Sequence, residues 1–496
     1  MSKTLMIQAT ASFAGKSFLV MSLCRIFAGE GFKVAPFKAQ NTSLNSFVTK
    51  DGKEIARAQA LQALAAGVEP EVEMNPILVK PKGESRSQLV VNGKPLRDIE
   101  AGEYYREFVL AQGMRIIKKA FKKLEKKYEL IIIEGAGSPA EINLYEQDIA
   151  NMRIAELADA PVILAADIER GGVFASIYGT ISLLKEEHRA RVKGIIINKF
   201  RGDEKILKPG VDTIQELTGK PVLGVIPFIK DLQLPDEDSV SLAKQKLNAD
   251  SMDIAVIKLP RISNFTDFDP LVYEGWNVRY VERAEELGQP CAVILPGTKN
   301  TTEDLLWLRE RGFEERIKAL QVPVVGICGG YQMLGRRIVD SGIESRKGVF
   351  KGLGLLDVET KFKKFKKKTK QVEGRVIASH GIFKSAKNAK ISGYEIHIGK
   401  TTLGRRAIPI FNIGGRKEGA ADGSGLIFGT YLHGLFDSPS FTKSFIKFIQ
   451  KSKRKSVGRR ENIQEIWKRS IQRAAQVVQS SLDMQKIYRM LEVQDE

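Results

Sequence analysis

Cysteine and histidine are scarce in this chain, and their scarcity narrows its chemistry. Its 496 residues include only three cysteines and four histidines. Cys24, Cys291 and Cys328 stand far apart, so they form no disulfide framework, and no pair of them has the spacing of metal ligands. We therefore predict a protein of the reducing cytoplasm, stabilised by a hydrophobic core and not by cross-links.

Long apolar runs are lacking as well. No stretch approaches the roughly 20 uninterrupted apolar residues that span a bilayer, although 43% of the residues are hydrophobic. The N-terminus runs directly into a strand-like segment, without the charged region, apolar region and cleavage site of a secretion signal. We expect no membrane association and no signal peptide, and the length predicts two or three domains.

Acidic residues are outnumbered: 78 lysines and arginines face 59 aspartates and glutamates, a formal charge of +19. Much of the excess lies in local runs, such as residues 361–370 and 447–460. No recognition helix or base-stacking module accompanies these runs. A solvated surface that attracts polyanionic substrates such as ATP is therefore a better interpretation than nucleic-acid binding.

The first half of the chain repeats one pattern: a short apolar run, a glycine-rich or polar turn, and an amphipathic stretch. Such alternation predicts βαβ units and a parallel sheet covered by helices. The predicted strands lie at Thr4–Ile7, Lys33–Ala35, Leu130–Ile133, Val162–Ala166, Gly194–Ile197 and Val222–Ile226, and the predicted helices include Lys16–Phe27 and Tyr104–Lys126.

This pattern breaks after Leu234 and restarts at Asp253, so the polar stretch Ser241–Ser251 is the predicted linker. We expect one α/β domain at residues 1–240, a second at 252–440 and a basic helical extension at 441–496. Strand-like runs in the second domain include Cys291–Leu295 and Pro323–Ile327, and residues 352–413 read as irregular and β-rich. The extension is predicted to pack as one or two helices on the second domain.

The segment Gln8–Ser17 follows a strand and opens a helix. A turn at such a point directs backbone N–H groups and the helix N-terminus towards a phosphate. Gly15 suits the turn, Lys16 supplies a charge for the outer phosphates, and Ser17 supplies a hydroxyl for Mg²⁺. No glycine precedes Gly15, so the strict P-loop pattern fails, and an ordinary strand-to-helix turn is the alternative.

An acid at the end of a second strand strengthens the prediction of a phosphate site. Leu130–Gly137 is an apolar run that ends in Glu134 and then glycines. In an open α/β sheet, ligands sit beyond the carboxyl ends of the strands. We therefore expect Glu134 near the phosphates, where it and Ser17 would hold Mg²⁺; the alternative is a carboxylate that caps the next turn.

The most informative segment is Val324–Leu334, in which an apolar strand runs into Cys328, two glycines and a helical stretch. This order is typical of a nucleophile elbow. The tight turn exposes the sulfur, the helix N-terminus favours the thiolate, and the N–H of Gly329 can face a developing oxyanion. A buried structural cysteine is the alternative, and it is our interpretation of Cys24 and Cys291.

A thiol nucleophile needs a base. His433 follows a strand-like run and precedes small residues, and we predict that it serves Cys328. The pair would attack a carboxamide, release ammonia and leave a thioester for water. His188 lies in a charged helix and is expected to be solvated, and His397 is interpreted as a binding or structural residue. The loop at Gly297, after another apolar strand, would complete the oxyanion hole.

Two long sets of motifs carry a resemblance to known enzymes. The segment Gly326–Gln332 with Cys328, together with the downstream His433, resembles a class I glutamine amidotransferase domain of flavodoxin-like fold. The first half resembles the dethiobiotin-synthetase type of P-loop domain. The combination resembles the cobyric acid synthase family, through the stretches Phe37–Ser46, Glu54–Gln59, Met74–Pro81, Ile133–Leu144, Ala166–Phe174, Ile197–Asp203 and Ile262–Asp269.

The resemblance implies a substrate and a reaction. The family amidates the b, d, e and g carboxylates of adenosylcobyrinic acid a,c-diamide to give adenosylcobyric acid in cobalamin biosynthesis, with one glutamine and one ATP for each amide. It also implies that Gln332 binds glutamine and that no prosthetic group is tightly bound. Since ammonia must reach an ATP-activated carboxylate without becoming ammonium, we expect the two sites to face each other across an enclosed route.

The chain departs from the family at several positions. Ala9 and Phe13 stand where the family has Gly and Asp, so crowding of the phosphate turn and loss of a carboxylate are expected there. The loop Asp340–Glu344 lacks an expected proline. Most class I amidotransferases carry an acid two residues after the histidine; that position is Leu435, as in the family, and Asp437 is the candidate for orienting His433.

Other functions stay open at this point. The chain could be another amidotransferase with the same pair of domains, such as a cobyrinic acid a,c-diamide synthase or a cell-wall amidase-ligase. The polar loop Gln40–Ser46 argues against both. A non-catalytic nucleotide-binding regulator is a further alternative. Ala9 and Phe13 favour the regulator, whereas Cys328 and His433 argue against it.

Overall fold

Six parallel strands form the centre of the N-terminal half of the computed structural model, which describes residues 2–235, 253–363, 367–450 and 463–492. The spatial order is Val222–Pro227, Val192–Phe200, Val162–Asp167, Lys3–Ala9, Leu130–Glu134 and Val34–Phe37. Helices cover both faces, which explains why the strands read as continuous apolar runs. The predicted parallel α/β fold is confirmed, and the predicted linker Ser241–Ser251 lies outside the described residues.

The helices of this half follow the predicted pattern. The predicted helix Tyr104–Lys126 is a π-helical stretch, Tyr104–Gly113, that continues as the α-helix Met114–Glu125. The other helices are Lys16–Gly29, Arg57–Ala65, Met152–Leu157, Val173–Leu183, Glu186–Arg191 and Glu204–Thr218.

A smaller sheet and a two-stranded ribbon extend this half towards the rest of the chain. The sheet has the order Gln40–Thr42, Ile77–Pro81, Arg86–Val91 and Lys94–Glu100, and the ribbon pairs Ser46–Val48 with Glu54–Ala56. Both begin in the polar segment that follows strand Val34–Phe37, so this segment leaves the carboxyl edge of the main sheet and crosses to the second half.

The second half is built on a ten-stranded mixed sheet. In spatial order its strands are Asn277–Val281, Asp253–Ile257, Ala292–Leu295, Val324–Ile327, Ile427–Thr430, Arg416–Ala421, Ile408–Ile413, Lys368–Val376, Lys390–His397 and Leu432–His433. The first five are parallel and the rest antiparallel. A further sheet has the order Gly348–Lys351, Arg337–Asp340, Val358–Phe362 and Lys400–Leu403, so the β-rich character predicted for residues 352–413 is confirmed.

Helices Asp269–Tyr273, Thr301–Glu310, Phe313–Ala319, Gly329–Leu334 and Pro439–Gln450 complete the second half. The expected packing of the extension on the second domain is confirmed for helix Pro439–Gln450, which lies in the core of that half, but is wrong for the last two helices, Ile463–Ser481 and Met484–Glu492. Ile471 and Ala474 pack against Met21 and Ala65 of the first half, not on the second domain. The amphipathic pattern of this helix predicted a buried face, but nothing in it specified which domain would cover that face. Among the described residues no helix is long and apolar enough to cross a membrane.

The two halves meet through backbone and side-chain contacts at the ribbon. The hydroxyl of Tyr394 donates to the carbonyl of Ser46 at 3.2 Å, and the Ser46 N–H donates to Oδ1 of Asn264 at 2.8 Å. Val48 is buried against Tyr394 and Ile396. These contacts fix the ribbon of the first half against strand Lys390–His397 of the second.

A buried ion cluster lies beside these contacts. Glu54 accepts from Lys80 of its own half and from Lys367 of the other half, each at 2.5 Å. The side chain of Lys367 is only 5% exposed, so the interpretation of the basic run 361–370 as solvated surface is wrong at this residue. Residues 364–366 lie outside the described part of the chain.

Candidate active sites at the domain boundary

The phosphate loop turns from strand to helix at Gly15, which has a left-handed backbone conformation. Gly15 has φ of +99°, and a Cβ there would lie 2.1 Å from Nδ2 of Asn198, so any other residue would be strained and would displace that side chain. Lys16 begins the helix, and its ammonium donates to the carbonyls of Ala11 and Gly137, at 3.1 and 2.7 Å. The helix N-terminus and the lysine therefore converge at the carboxyl edge of the sheet, as predicted.

Glu134 lies next to Ser17, whose hydroxyl donates to Oε1 of the carboxylate at 2.8 Å. Lys38 donates to the same oxygen at 2.7 Å, and Gln62 and Gln59 donate to Oε2 at 2.5 and 3.3 Å. Burial raises the pKa of Glu134, but the Lys38 ammonium and the hydrogen bonds from Lys38, Gln62 and Ser17 together outweigh burial and lower the pKa. The carboxylate is therefore held ionised, and the predicted pair of Ser17 and Glu134 is brought together.

A cavity of about 840 Å³ opens beside these groups. Lys16, Ser17 and Glu134 line this cavity together with apolar side chains that include Leu232 and Leu234. The sequence alone did not assign Lys38, Gln59 or Gln62 to this site. The signal was present, since these residues lie in or just after two of the motifs, Phe37–Ser46 and Glu54–Gln59.

The two departures in the phosphate loop have different consequences. Ala9 is fully buried at the end of strand Lys3–Ala9 and does not adopt a positive φ, so its backbone conformation is one that alanine adopts without strain. Phe13 has φ of +63° and is 46% exposed at the cavity wall, with its carbonyl accepting from Lys199 at 2.7 Å. Its ring therefore stands where the family has a carboxylate.

Cys328 occupies a strained corner between strand Val324–Ile327 and helix Gly329–Leu334. Its φ and ψ are +52° and −104°, a region that non-glycine residues rarely adopt. The glycines make room for it: a Cβ on Gly330 would lie 1.9 Å from the carbonyl oxygen of Leu295. The elbow is therefore held by backbone packing, as its sequence predicted. Cys24 and Cys291 are buried and free, in agreement with a core role.

His433 pairs with an acid that the sequence did not indicate. Its Nδ1 donates to Oδ2 of Asp267 at 2.6 Å, and the other carboxylate oxygen accepts from the N–H of Gly434 at 3.0 Å. Burial lowers the pKa of His433, but Asp267 and Cys328 together raise it to about 10. The imidazole is therefore protonated at neutral pH, next to the cysteine.

The prediction that Asp437 orients His433 is wrong. Its carboxyl makes no hydrogen bond to the imidazole, and burial raises its pKa to about 7. Asp267 was missed because the expected acid was sought close to the histidine in the chain. The available signal was the segment Ile262–Asp269, which matched the family but carried no role.

Two other histidines, His188 and His397, are held by neighbouring side chains. His188 is only 5% exposed and bonds to Tyr145 and Glu156, so the expectation that it is solvated is wrong; a short helix places it inward. His397 stacks on Tyr431 with ring centroids 3.7 Å apart, and its Nδ1 donates to the carbonyl of Gly399. Burial lowers the pKa of His397 to about 4, which fits a neutral structural or binding residue.

The remaining candidates surround the elbow. A Cβ on Gly297 would lie 3.0 Å from Cε1 of His433, so this loop lies directly against the imidazole. Gln332 is buried; its Oε1 accepts from Thr301 at 2.8 Å and its Nε2 donates to Tyr431 at 3.2 Å. Thr301 also donates to Glu344, and burial raises the pKa of that acid to about 7. The loop without the expected proline thus places a carboxyl near Gln332.

Comparison with known protein families finds one matching domain in each half of the chain. A CobQ/CobB/MinD/ParA nucleotide binding domain matches residues 5–242, and a CobB/CobQ-like glutamine amidotransferase domain matches residues 253–441.

Curated relatives match over the full length. A probable cobyric acid synthase of Methanococcoides burtonii is 51% identical, with 100% of this chain and 98% of that protein covered. One of Methanosarcina barkeri is 50% identical, with 99% of each chain covered. A cobyric acid synthase of Dehalococcoides mccartyi is 47% identical, again with 99% of each covered.

Proposed function

The chain belongs to the cobyric acid synthase family of cobalamin biosynthesis and is a glutamine-dependent ligase with a nucleotide-binding domain, and we propose that it amidates the b, d, e and g carboxylates of adenosylcobyrinic acid a,c-diamide to adenosylcobyric acid. We assign ATP and the corrinoid to residues 1–240 and glutamine to residues 252–440. The observation that carries the proposal is the contact between the glutaminase site and the nucleotide-binding half, because Tyr394 stacks on His433 and donates to the carbonyl of Ser46 in the ribbon.

Glutamine hydrolysis starts at Cys328. The thiolate is the nucleophilic form of cysteine, and the protonated His433 is the cation that pairs with it. The sulfur attacks the carboxamide carbon of glutamine, which Gln332 helps to hold, and the oxyanion meets the N–H groups of Gly329 and Gly297. His433 gives its proton to the leaving nitrogen, so that ammonia departs. Water then attacks the thioester with His433 as base, and glutamate leaves.

Activation of the carboxylate takes place in the 840 Å³ cavity. The helix N-terminus and Lys16 hold the phosphates of ATP while the substrate carboxylate attacks the terminal phosphorus. The P–O bond to the bridging oxygen breaks, ADP leaves with that electron pair, and the carboxylate becomes an acyl phosphate. Ammonia then forms a C–N bond, the C–O bond to phosphate breaks with its electrons on oxygen, and the nitrogen loses one proton to the departing phosphate.

Ser17 and Glu134 fit a Mg²⁺ ion. Their oxygens already lie 2.8 Å apart at the phosphate loop, and Mg²⁺ takes few protein oxygens beside phosphates and water. Bound there, the ion would neutralise charge on the ATP phosphates. Lys38 shares Oε1 of Glu134 and adds a second cation at the same place.

The polar loop Gln40–Ser46 supports a short path for ammonia between the two sites. At one end Asn41 donates to Gln59, which donates to Glu134. At the other end Ser46 donates to Asn264, whose side chain lies 3.5 Å from Nε2 of His433. Ammonia released at Cys328 follows this loop into the cavity, away from bulk water.

A cytoplasmic location stays a prediction from the few cysteines.

The test is a product assay with the purified protein. Glutamine, ATP, Mg²⁺ and adenosylcobyrinic acid a,c-diamide are supplied to the wild type and to Cys328→Ala, and glutamate and corrinoid products are measured. We expect glutamate release and four added amides for the wild type, and amidation by Cys328→Ala only when ammonium chloride replaces glutamine. Glutamate release without corrinoid amidation would assign another acid as substrate, as in the other amidotransferases of this domain pair. No release from folded protein would favour the regulator.

A further inference from the structure

Arg57 is a buried cation whose role the reaction above does not use. It begins helix Arg57–Ala65, is only 9% exposed and lines the same cavity as Lys16 and Glu134. Its Nε is buried and makes no hydrogen bond within the described part of the chain. Buried charged groups are normally paired or hydrogen-bonded. An unmet donor on a cavity wall is the arrangement expected of a site for an anion.

The same guanidinium also contacts the glutaminase half. It lies 5.9 Å from the ring centroid of Tyr394 and 5.6 Å from that of Phe47. Tyr394 in turn stacks on His433, with centroids 5.2 Å apart and planes inclined by 15°. Arg57 therefore touches the cavity on one side and, through one aromatic ring, the imidazole beside Cys328 on the other.

We propose that Arg57 binds the carboxylate that is to be amidated, and then its acyl phosphate, at the wall of the cavity nearest Cys328, and that this binding is transmitted to His433 through Tyr394. The inference rests on the proposed function and deepens it. A guanidinium presents two parallel N–H groups to a planar carboxylate, which fixes the orientation of the acceptor as well as its charge. The acyl carbon is thereby held where ammonia enters.

The geometry also explains how two distant reactions stay in step. The guanidinium lies beside the rings of Phe47 and Tyr394, and the carboxylates of Asp437, Asp267 and Asp269 also act on its charge. An acceptor carboxylate draws it towards the cavity and changes its contact with Tyr394, and the stacked imidazole follows. Glutamine hydrolysis is then fastest when an acceptor waits for ammonia, which limits wasted glutamine.

Ammonium chloride as nitrogen donor isolates the first part of the proposal. With glutamine absent, we expect Arg57→Gln and Arg57→Lys to raise KM for adenosylcobyrinic acid a,c-diamide by about tenfold or more while KM for ATP changes by less than about twofold. Arg25→Gln is the matched control, because Arg25 is an arginine of the same half that bonds to Gln472, away from the cavity. A rise in KM for ATP alone would overturn the assignment and give Arg57 to the nucleotide.

Glutaminase stimulation tests the second part. Glutamate release is measured with and without ATP and the corrinoid acid, and the ratio is compared. We expect the ratio to fall to about one in Arg57→Gln and in Tyr394→Leu, and to be kept in Tyr394→Phe, which preserves the stacked ring. Since Tyr394→Leu leaves Arg57 in place, its KM for the corrinoid acid with ammonium chloride should stay that of the wild type.

The outcomes separate two failures. If the wild type forms no amide from ammonium chloride, the proposed function fails and the role of Arg57 fails with it. If the wild type forms amide but the Arg57 variants keep its KM and its stimulation ratio, only the role of Arg57 is wrong. Circular dichroism of each variant verifies that the fold is kept. If Arg57→Gln does not fold, Arg57→Lys tests the role of Arg57, because it keeps the charge but lacks the two parallel N–H groups.

Discussion

Oδ2 of Asp267 lies 2.6 Å from Nδ1 of His433, although the two residues are 166 positions apart in the chain. The acid follows strand Asp253–Ile257, on the far side of the sheet order from the histidine, and a short 3-10 helix turns it inward. A carboxylate that accepts from Nδ1 fixes the orientation of the imidazole and stabilises its protonated form. The chain thus obtains from another loop the acid that most class I amidotransferases carry two residues after the histidine.

Replacement of Asp267 tests this pairing directly. We expect Asp267→Asn to lower kcat for glutamine hydrolysis by about 10²–10⁴, because the imidazole loses both its orientation and its stabilising charge. Amidation with ammonium chloride should be kept, since the carboxylate lies in the glutaminase half. Asp437→Asn is the matched control: it removes a nearby buried acid that does not bond to His433. Equal losses in the two variants would contradict the assignment.

The pH dependence of glutamine hydrolysis should reflect the pairing of His433 with Asp267. Because Asp267 and Cys328 raise the pKa of His433 to about 10, the imidazole stays protonated well above the usual range of histidine. Activity that needs this proton is present below that pKa and is lost as the pH rises through it. In Asp267→Asn the falling limb should move to lower pH, as measured by kcat/KM for glutamine between about pH 6 and 11. An unmoved limb would mean that another group titrates.

Local patterns predicted the elements of both sites. The elbow at Cys328 and the turn at Gly15 follow from residues that are neighbours in the chain, because strand, glycine and helix succeed one another there. Contacts between distant segments were not predictable in this way. Asp267 and Lys367 meet their partners only after the sheet order and the domain contact are formed.

The C-terminal helices illustrate the same limit. Their amphipathic pattern predicted helices with one buried face, and that is what residues 463–492 form. The pattern describes the apolar face but not the surface that covers it, and the covering surface is helix Lys16–Gly29 of the first half. The inward position of His188 was missed for a related reason, since charged neighbours in a short helix indicate average exposure and not the direction of one ring.

Two glycines of the chain should respond in opposite ways to alanine. A Cβ on Gly330 would lie 1.9 Å from the backbone oxygen of Leu295, so Gly330→Ala should displace the elbow, cost about 1–3 kcal/mol of unfolding free energy and abolish glutamine hydrolysis. Gly179 lies within helix Val173–Leu183 with open space around it, so Gly179→Ala should stabilise by about 0.4–1 kcal/mol. Urea unfolding measures both. Similar changes for the two would show that the elbow relaxes more freely than its packing indicates.

The ion cluster of Glu54 with Lys80 and Lys367 gives a prediction for the contact between the halves. Removing one partner of a buried ion pair leaves an uncompensated charge, so Glu54→Gln should cost about 3–5 kcal/mol of unfolding free energy. Glu69→Gln, in an exposed pair with Lys50, should cost less than about 1 kcal/mol and is the control. The double variant Glu54→Gln, Lys367→Met should recover part of the loss, because it removes one of the two stranded ammonium groups from the contact.

The effect of Glu54→Gln should also depend on pH in one direction. Burial would raise the pKa of Glu54, but Lys367 and Lys80 outweigh it and hold the pKa well below its usual range. A depressed folded-state pKa stabilises above the unfolded-state value of about 4.3, and that contribution is lost as the pH falls towards the folded-state value. The difference in unfolding free energy between wild type and Glu54→Gln should therefore be full near neutral pH and shrink in acid. A difference that stays constant down to about pH 3 would mean that Glu54 stabilises the contact by shape and hydrogen bonding and not by its charge.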